Sequence, residues 1–180
     1  NLLLALPEEI AGRPDAAPSL FVSQSLDGTT WSPPRLLEIS SVRGDKWPDA
    51  RKGVNQFRIV WVSERRGTGM DELFFSSGTN IFDCRMSGAL SIASEDYPGF
   101  PGDGHAVIST PVIASASGVD YVFFVARVVG VRKRKTDEPV VKCSGIFYLE
   151  LMAGKTPRLK TVISTGQESL EIRGIPAPWR

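Results

Sequence analysis

Histidine is almost missing from this 180-residue chain: His105 stands alone, which excludes a zinc centre built on histidines. Cysteine is nearly as scarce. Cys84 and Cys143 lie far apart with no CxxC pair, so a structural zinc is not expected, and one disulfide or two buried thiols fit equally. No charge sign is in excess. Lys and Arg number 21 against 20 Asp and Glu, a formal net charge of +1, without the basic footprint of a nucleic-acid binder. Long apolar runs are missing too. The opening NLLLALPEEI has only Leu2 to Leu6, with no initiator Met and no basic flank, so neither a leader nor a membrane span is expected there. A start inside a strand looks processed, or cut from something longer. Helical periodicity is also nearly absent, since the helix-friendly PEEIAG (7–12) is too short to hold. No metal or cofactor is expected.

What is present is glycine, proline and alternation. With 17 Gly and 13 Pro the chain suits a turn-rich all-β protein, and its length is enough for a real core. One pattern recurs three times: an apolar strand, a polar link, a second strand and a weaker third. The first copy is LLLAL (2–6), SLFVSQ (19–24) and TWSPPRLLEI (30–39). The second is FRIVWVSE (57–64), ELFFSS (72–77) and FDCRMSGALSI (82–92). The third is YVFFVARVVG (121–130), GIFYLEL (145–151) and PRLKTVIS (157–164). WPDARKG (47–53) and HAVISTPVIASASG (105–118) read as opening strands of the second and third copies. Phe57, Ile59 and Trp61 share one face of their strand, as do Tyr121, Phe123 and Val125; other stretches are apolar on both faces, as in a sheet packed between neighbours. The expected fold is a β-propeller-type repeat of four-stranded antiparallel blades, with a β-sandwich or jelly roll as the alternative. Repeats of about 1–41, 47–95 and 105–165 and a spare C-terminal strand in 166–180 make a single all-β domain or a propeller fragment.

The stretch SQSLDGTTWSPP (23–34) is the sharpest local signal. Asp27-Gly28 between two strands predicts a tight turn, with Gly taking positive φ and Asp bonding turn amides. Pro33-Pro34 then confines the returning strand to an edge. Ser25-x-Asp27-Gly28-x-Thr30-Trp31 resembles the Asp-box of sialidases and related β-propellers, one residue short of the usual Ser-x-Asp-x-Gly-x-Thr-Trp. KWPDARKGVNQFRIVWVSERRG (46–67) resembles the opening of a second sialidase blade, and PGDGHAVISTPVIASASGVDYVFF (101–124) that of a third. The resemblance implies a structural role for Ser25, Asp27, Gly28, Thr30 and Trp31 on the propeller rim. It places Asp49 where the family often has an Asp facing the sugar.

Sialidases also hold a carboxylate with three arginines and attack with a Tyr activated by a Glu, with an Asp as acid/base. Phe57-Arg58-Ile59 echoes the first arginine motif with Val60 in place of its Pro; the segments that would supply the rest are not in this sequence. Asp49, Arg58 and His105 are therefore the candidate ligand-binding residues, and Asp49 the candidate catalytic one. Glu64-Arg65-Arg66 and Arg132-Lys133-Arg134-Lys135 read as solvated hairpin tips or an anion-binding rim. The expected role is a glycan- or protein-binding scaffold unit. It would be a homo-oligomer or part of a longer chain, because three blades leave edges to be covered. The alternative is a sialidase-type glycoside hydrolase. A second alternative is an ADP-ribosyltransferase, whose Arg, Ser-Thr and Glu segments are similar to the stretches holding Arg43, Ser109, Thr110 and Glu168.

Overall fold

The computed structural model describes residues 2–8, 19–37, 44–52, 56–64, 71–90, 92, 96–97, 104–130, 141–152 and 155–165. Eleven strands build three sheets in which sequence neighbours are spatial neighbours. Sheet 1 holds β1 (Leu2–Glu8), β2 (Ser19–Ser25) and β3 (Arg35–Leu36). Sheet 2 holds β4 (Asp45–Lys52), β5 (Phe57–Ser63), β6 (Glu72–Gly78) and β7 (Arg85–Leu90). Sheet 3 holds β8 (Gly104–Ala116), β9 (Val119–Gly130), β10 (Val141–Leu151) and β11 (Leu159–Thr165). Every pairing is antiparallel. The chain is thus nearly all β, and the described residues include no α-helix. Three serial meanders, rather than two facing sheets, set aside the sandwich.

The trailing strands are weaker than the central ones, for visible reasons. Pro33-Pro34 cannot donate to a ladder, so β3 shrinks to two residues. Before β7, Ile81–Asp83 forms a 3-10 turn whose Asn80 cap accepts from the Phe82 amide. The opening strand of sheet 2 starts two residues earlier than the sequence pattern suggests, at Asp45. That residue is fully buried and takes the Trp61 indole N–H at 3.2 Å. The expected strand in 166–180 lies outside the described residues, as do Arg65-Arg66 and Arg132 to Lys135.

Packing follows from the period of two. Along β5, Ile59 and Trp61 face Leu20 and Val22 of sheet 1, while Val60 and Val62 face sheet 3. Residues 59–63 are all buried, which is why that stretch reads as apolar on both faces. From sheet 3, Val122, Phe124, Ala126 and Val128 meet Val60, Val62 and Leu73, and Tyr97 packs edge-on to Phe147 at 5.2 Å. The alternate residues Tyr121, Phe123 and Val125 therefore form the far, half-buried face of sheet 3. Both cysteines are buried and unpaired, Cys84 in the core between sheets 1 and 2 and Cys143 in that between sheets 2 and 3. The thiols are thus small apolar fillers, and burial pushes that of Cys84 upward.

Candidate functional site

The first strands of sheets 2 and 3 lie side by side, β4 against β8, and β1 packs on β4 in turn. A first strand has one side without a ladder partner, so its outward amides need other acceptors. Asp49 on β4 supplies one: its Oδ2 accepts the Ile113 N–H of β8 at 2.8 Å. Two residues on, Arg51 Nη1 reaches the Ile113 carbonyl at 3.5 Å. Asp49 thus fastens one sheet to the next.

Past this seam opens a cleft of about 860 Å³, between the end of sheet 2 and the β8–β9 turn of sheet 3. Arg51 and Arg58 stand directly opposite each other across β4 and β5. Like charges in that register repel, and a carboxylate from the next sheet offsets one of them. Asp120 Oδ2 pairs with Arg58 Nε, while Asp120 Oδ1 accepts the Ser115 hydroxyl at 2.6 Å. Arg51 and Lys52 are both exposed at the cleft, Lys52 at its edge with its ammonium 5.7 Å from the Phe57 ring, so three cations line the cleft against the single carboxylate of Asp120. Gln56, Thr79, Ser115 and Ser117 add neutral donors and acceptors. The arrangement suits a ligand rich in hydroxyls and carrying negative charge.

Of the sequence candidates, Arg58 lines this cleft, whereas Asp49 is outside its lining, in the seam with β8 two residues from Arg51. His105 is not brought to them. It pairs with Val129 near the start of β8, ten residues from Ser115, on the order of 33 Å along the strand. Ser109 and Thr110 sit at a bulge in β8, whereas Arg43 and Glu168 lie outside the described residues. Sequence reading missed Asp120, Lys52 and Gln56. The Ser117-Gly118 turn carried half of the signal: both residues have positive φ (50° and 77°), which makes a two-residue hairpin with Ser115 opposite Asp120. Nothing local shows that Arg58, 62 positions earlier, completes the set.

The Ser25–Trp31 turn is a separate site at the end of sheet 1. Asp27 Oδ1 accepts the Thr29 and Thr30 amides, each at 2.8 Å, and the Ser25 hydroxyl at 3.0 Å. The Gly28 amide, at φ 78°, donates to Ser25 Oγ at 2.8 Å. Ser25 and Trp31 then bridge to close the loop. These donors, the Thr30 amide first, hold the Asp27 carboxyl well below the usual carboxylate range.

No protein-family model matches the chain, and no curated protein matches it in sequence. Among solved structures it is similar to a Penicillium chrysogenum alpha-L-arabinanase, determined in complex with arabinobiose. The TM-score is 0.56 at 10% identity, over 89% of this chain and 49% of that one. The fold is of the β-propeller type. At this identity the likeness is one of fold, and the chain spans about half the length of the solved structure it matches. The serial meanders with adjoining first strands are its blades.

Proposed function

We propose that this chain is a propeller module of sialidase-like kind that binds glycan, free or carried on a partner protein, at the cleft between sheets 2 and 3. The observation that carries the reading is the cleft's lining, with Arg51, Lys52 and Arg58 set against one carboxylate and flanked by Gln56 and Ser115. The self-bonded Ser25–Trp31 turn supports the sialidase-like kind, because its donors converge as an Asp-box role requires. The arabinanase likeness supports a carbohydrate context.

Hydrolysis is the second reading, favoured by that same neighbour. Glycosidases need two carboxyl groups flanking the scissile bond. Among the described residues lining the cleft, Asp120 is the sole carboxylate, and Arg58 and Ser115 already engage it. Binding without turnover is therefore preferred. The module also fits an assembly: Val112, Phe123 and Tyr148 leave a partly apolar face on sheet 3, bordered by Lys160, where a second copy would stack.

Calorimetric titration with sialyllactose and oligogalacturonates tests the binding role. We expect saturable binding that weakens with salt, and about a fivefold loss in Lys52→Ala, whose exposed side chain touches the fold through its ammonium over the Phe57 ring at 5.7 Å. Absence of binding to either class sinks the proposal. Release of product from a fluorogenic sialoside or arabinofuranoside, abolished in Asp49→Asn at an unchanged melting temperature, favours the hydrolase instead.

A further inference from the structure

Two successive first strands carry the same irregularity. In β4 the register with β5 slips between Lys46 and Asp49, so that Trp47-Pro48 together oppose the single residue Trp61. In β8 the register with β9 slips between Ser109 and Val112, so that Thr110-Pro111 oppose Phe124. Both bulges thus sit over a buried aromatic residue, and both place a left-handed residue directly before a proline. Trp47 has φ 54° and Thr110 φ 45°. Neither residue type accepts that region readily. Bulky and β-branched side chains there are genuine outliers, and a residue before proline is pushed towards extended backbone. Glycine would fill the position without strain.

The side chain that holds this conformation on β4 is about half exposed. Trp47 is 51% exposed, whereas Trp61 behind it is fully buried. An edge bulge re-aims a side chain, and backbone strain at a ligand-facing position is retained for what the side chain does there. Trp47 also lies four residues before Arg51, on the order of 13 Å along β4 from the cationic cleft. A single sugar cannot touch both; an oligomer can.

We infer that Trp47 is a stacking platform for a second sugar ring, and that the ligand is an oligosaccharide laid along β4 with its anionic end in the cleft. The inference rests on the glycan reading of that cleft. The C–H face of a ring packs on the exposed indole, and Thr110, at the matching bulge of β8, offers a hydroxyl at the corresponding place on the neighbouring strand. The strain at position 47 is then the means by which a core-facing strand turns an indole outward.

The test is calorimetry with oligogalacturonates from mono- to hexasaccharide, on the full chain and on Trp47→Gly, Trp47→Phe and Lys52→Ala, with a thermal melt of each. The intact chain is expected to bind longer ligands more tightly. Trp47→Gly should lose about tenfold in affinity for the long ones and little for the short, while Trp47→Phe recovers part. Its melting temperature should hold or rise, because glycine adopts the native φ freely. Lys52→Ala should weaken all lengths alike. If Trp47→Gly keeps the length dependence while Lys52→Ala weakens binding, the platform is wrong and the cleft stands. If the intact chain binds sialyllactose but no oligogalacturonate, the platform fails and the cleft stands; if it binds neither, both fail.

Discussion

Asp27 and Asp45 show two uses of one carboxylate type. Asp27 is exposed and gathers three donors on one oxygen, so its ionised form is what the turn is built around. Its folded-state pKa lies below the unfolded value. The stabilisation is therefore complete above the ordinary carboxylate range and fades as pH falls through it towards the folded value. Thermal melts should show Asp27→Ala melting a few degrees below the parent at neutral pH. The gap should narrow once pH drops below about 4. A gap that does not change with pH would mean that the carboxylate charge is not what orders the turn. Asp45 is instead fully buried against the Trp61 indole, joining β4 to β5 inside the core. The sequence marks the first through Asp-Gly; the second has no local mark, because its partner is 16 positions away.

Strands were legible where their side chains alternate or run apolar without a break. β2, β5, β6 and β9 follow the expected segments closely, since burial on one or both faces fixes them, whereas β10 starts four residues before its expected segment, at Val141. The bulges were not legible. They lie in two first strands where the register slips opposite a buried aromatic residue, and Trp47-Pro48 and Thr110-Pro111 look like ordinary turn chemistry in one dimension. A close approach of another kind holds β10 to β11. A Cβ at Gly145 would overlap the Ile163 carbonyl oxygen, beside the slip in register at Ile146. Gly145→Ala should therefore cost about 1–3 kcal/mol in urea denaturation, through displacement of β11 rather than loss of any contact. An unchanged midpoint would show that β11 can move away freely.

At the scale of the molecule, each sheet interface repeats the last. Sheet 1 closes on sheet 2 and sheet 2 on sheet 3, and the far face of sheet 3 carries a mixed surface, aromatic rings with the Lys160–Glu150 pair over Tyr148. Phe123 and Tyr148 stack there at 5.4 Å, Tyr121 lies 6.2 Å from Tyr148, and Val112 opposite Phe123 is 52% exposed. Blade faces of this chemistry are covered in a closed ring. Light scattering behind size exclusion should give about twice the 19.6 kDa of one chain, and Phe123→Arg should return the single-chain mass. A parent that elutes as a monomer would overturn the stacking of a second copy.

The sequence by itself determined the all-β class, the three-fold pattern, the weak trailing strands and the Asp27 turn. Each of these depends on side-chain period or on the backbone needs of Gly and Pro within a few residues. Only the tertiary structure decided what Asp49, Arg58 and His105 are near. Asp49 became a fastening between sheets, Arg58 a wall of a cationic cleft beside Asp120, and His105 a residue at the far end of β8. The cysteines were settled in the same way, as two thiols in two different cores. The physical reason is separation along the chain. Strand register is local and leaves its period in the sequence, whereas contacts between sheets join residues some sixty positions apart and leave none.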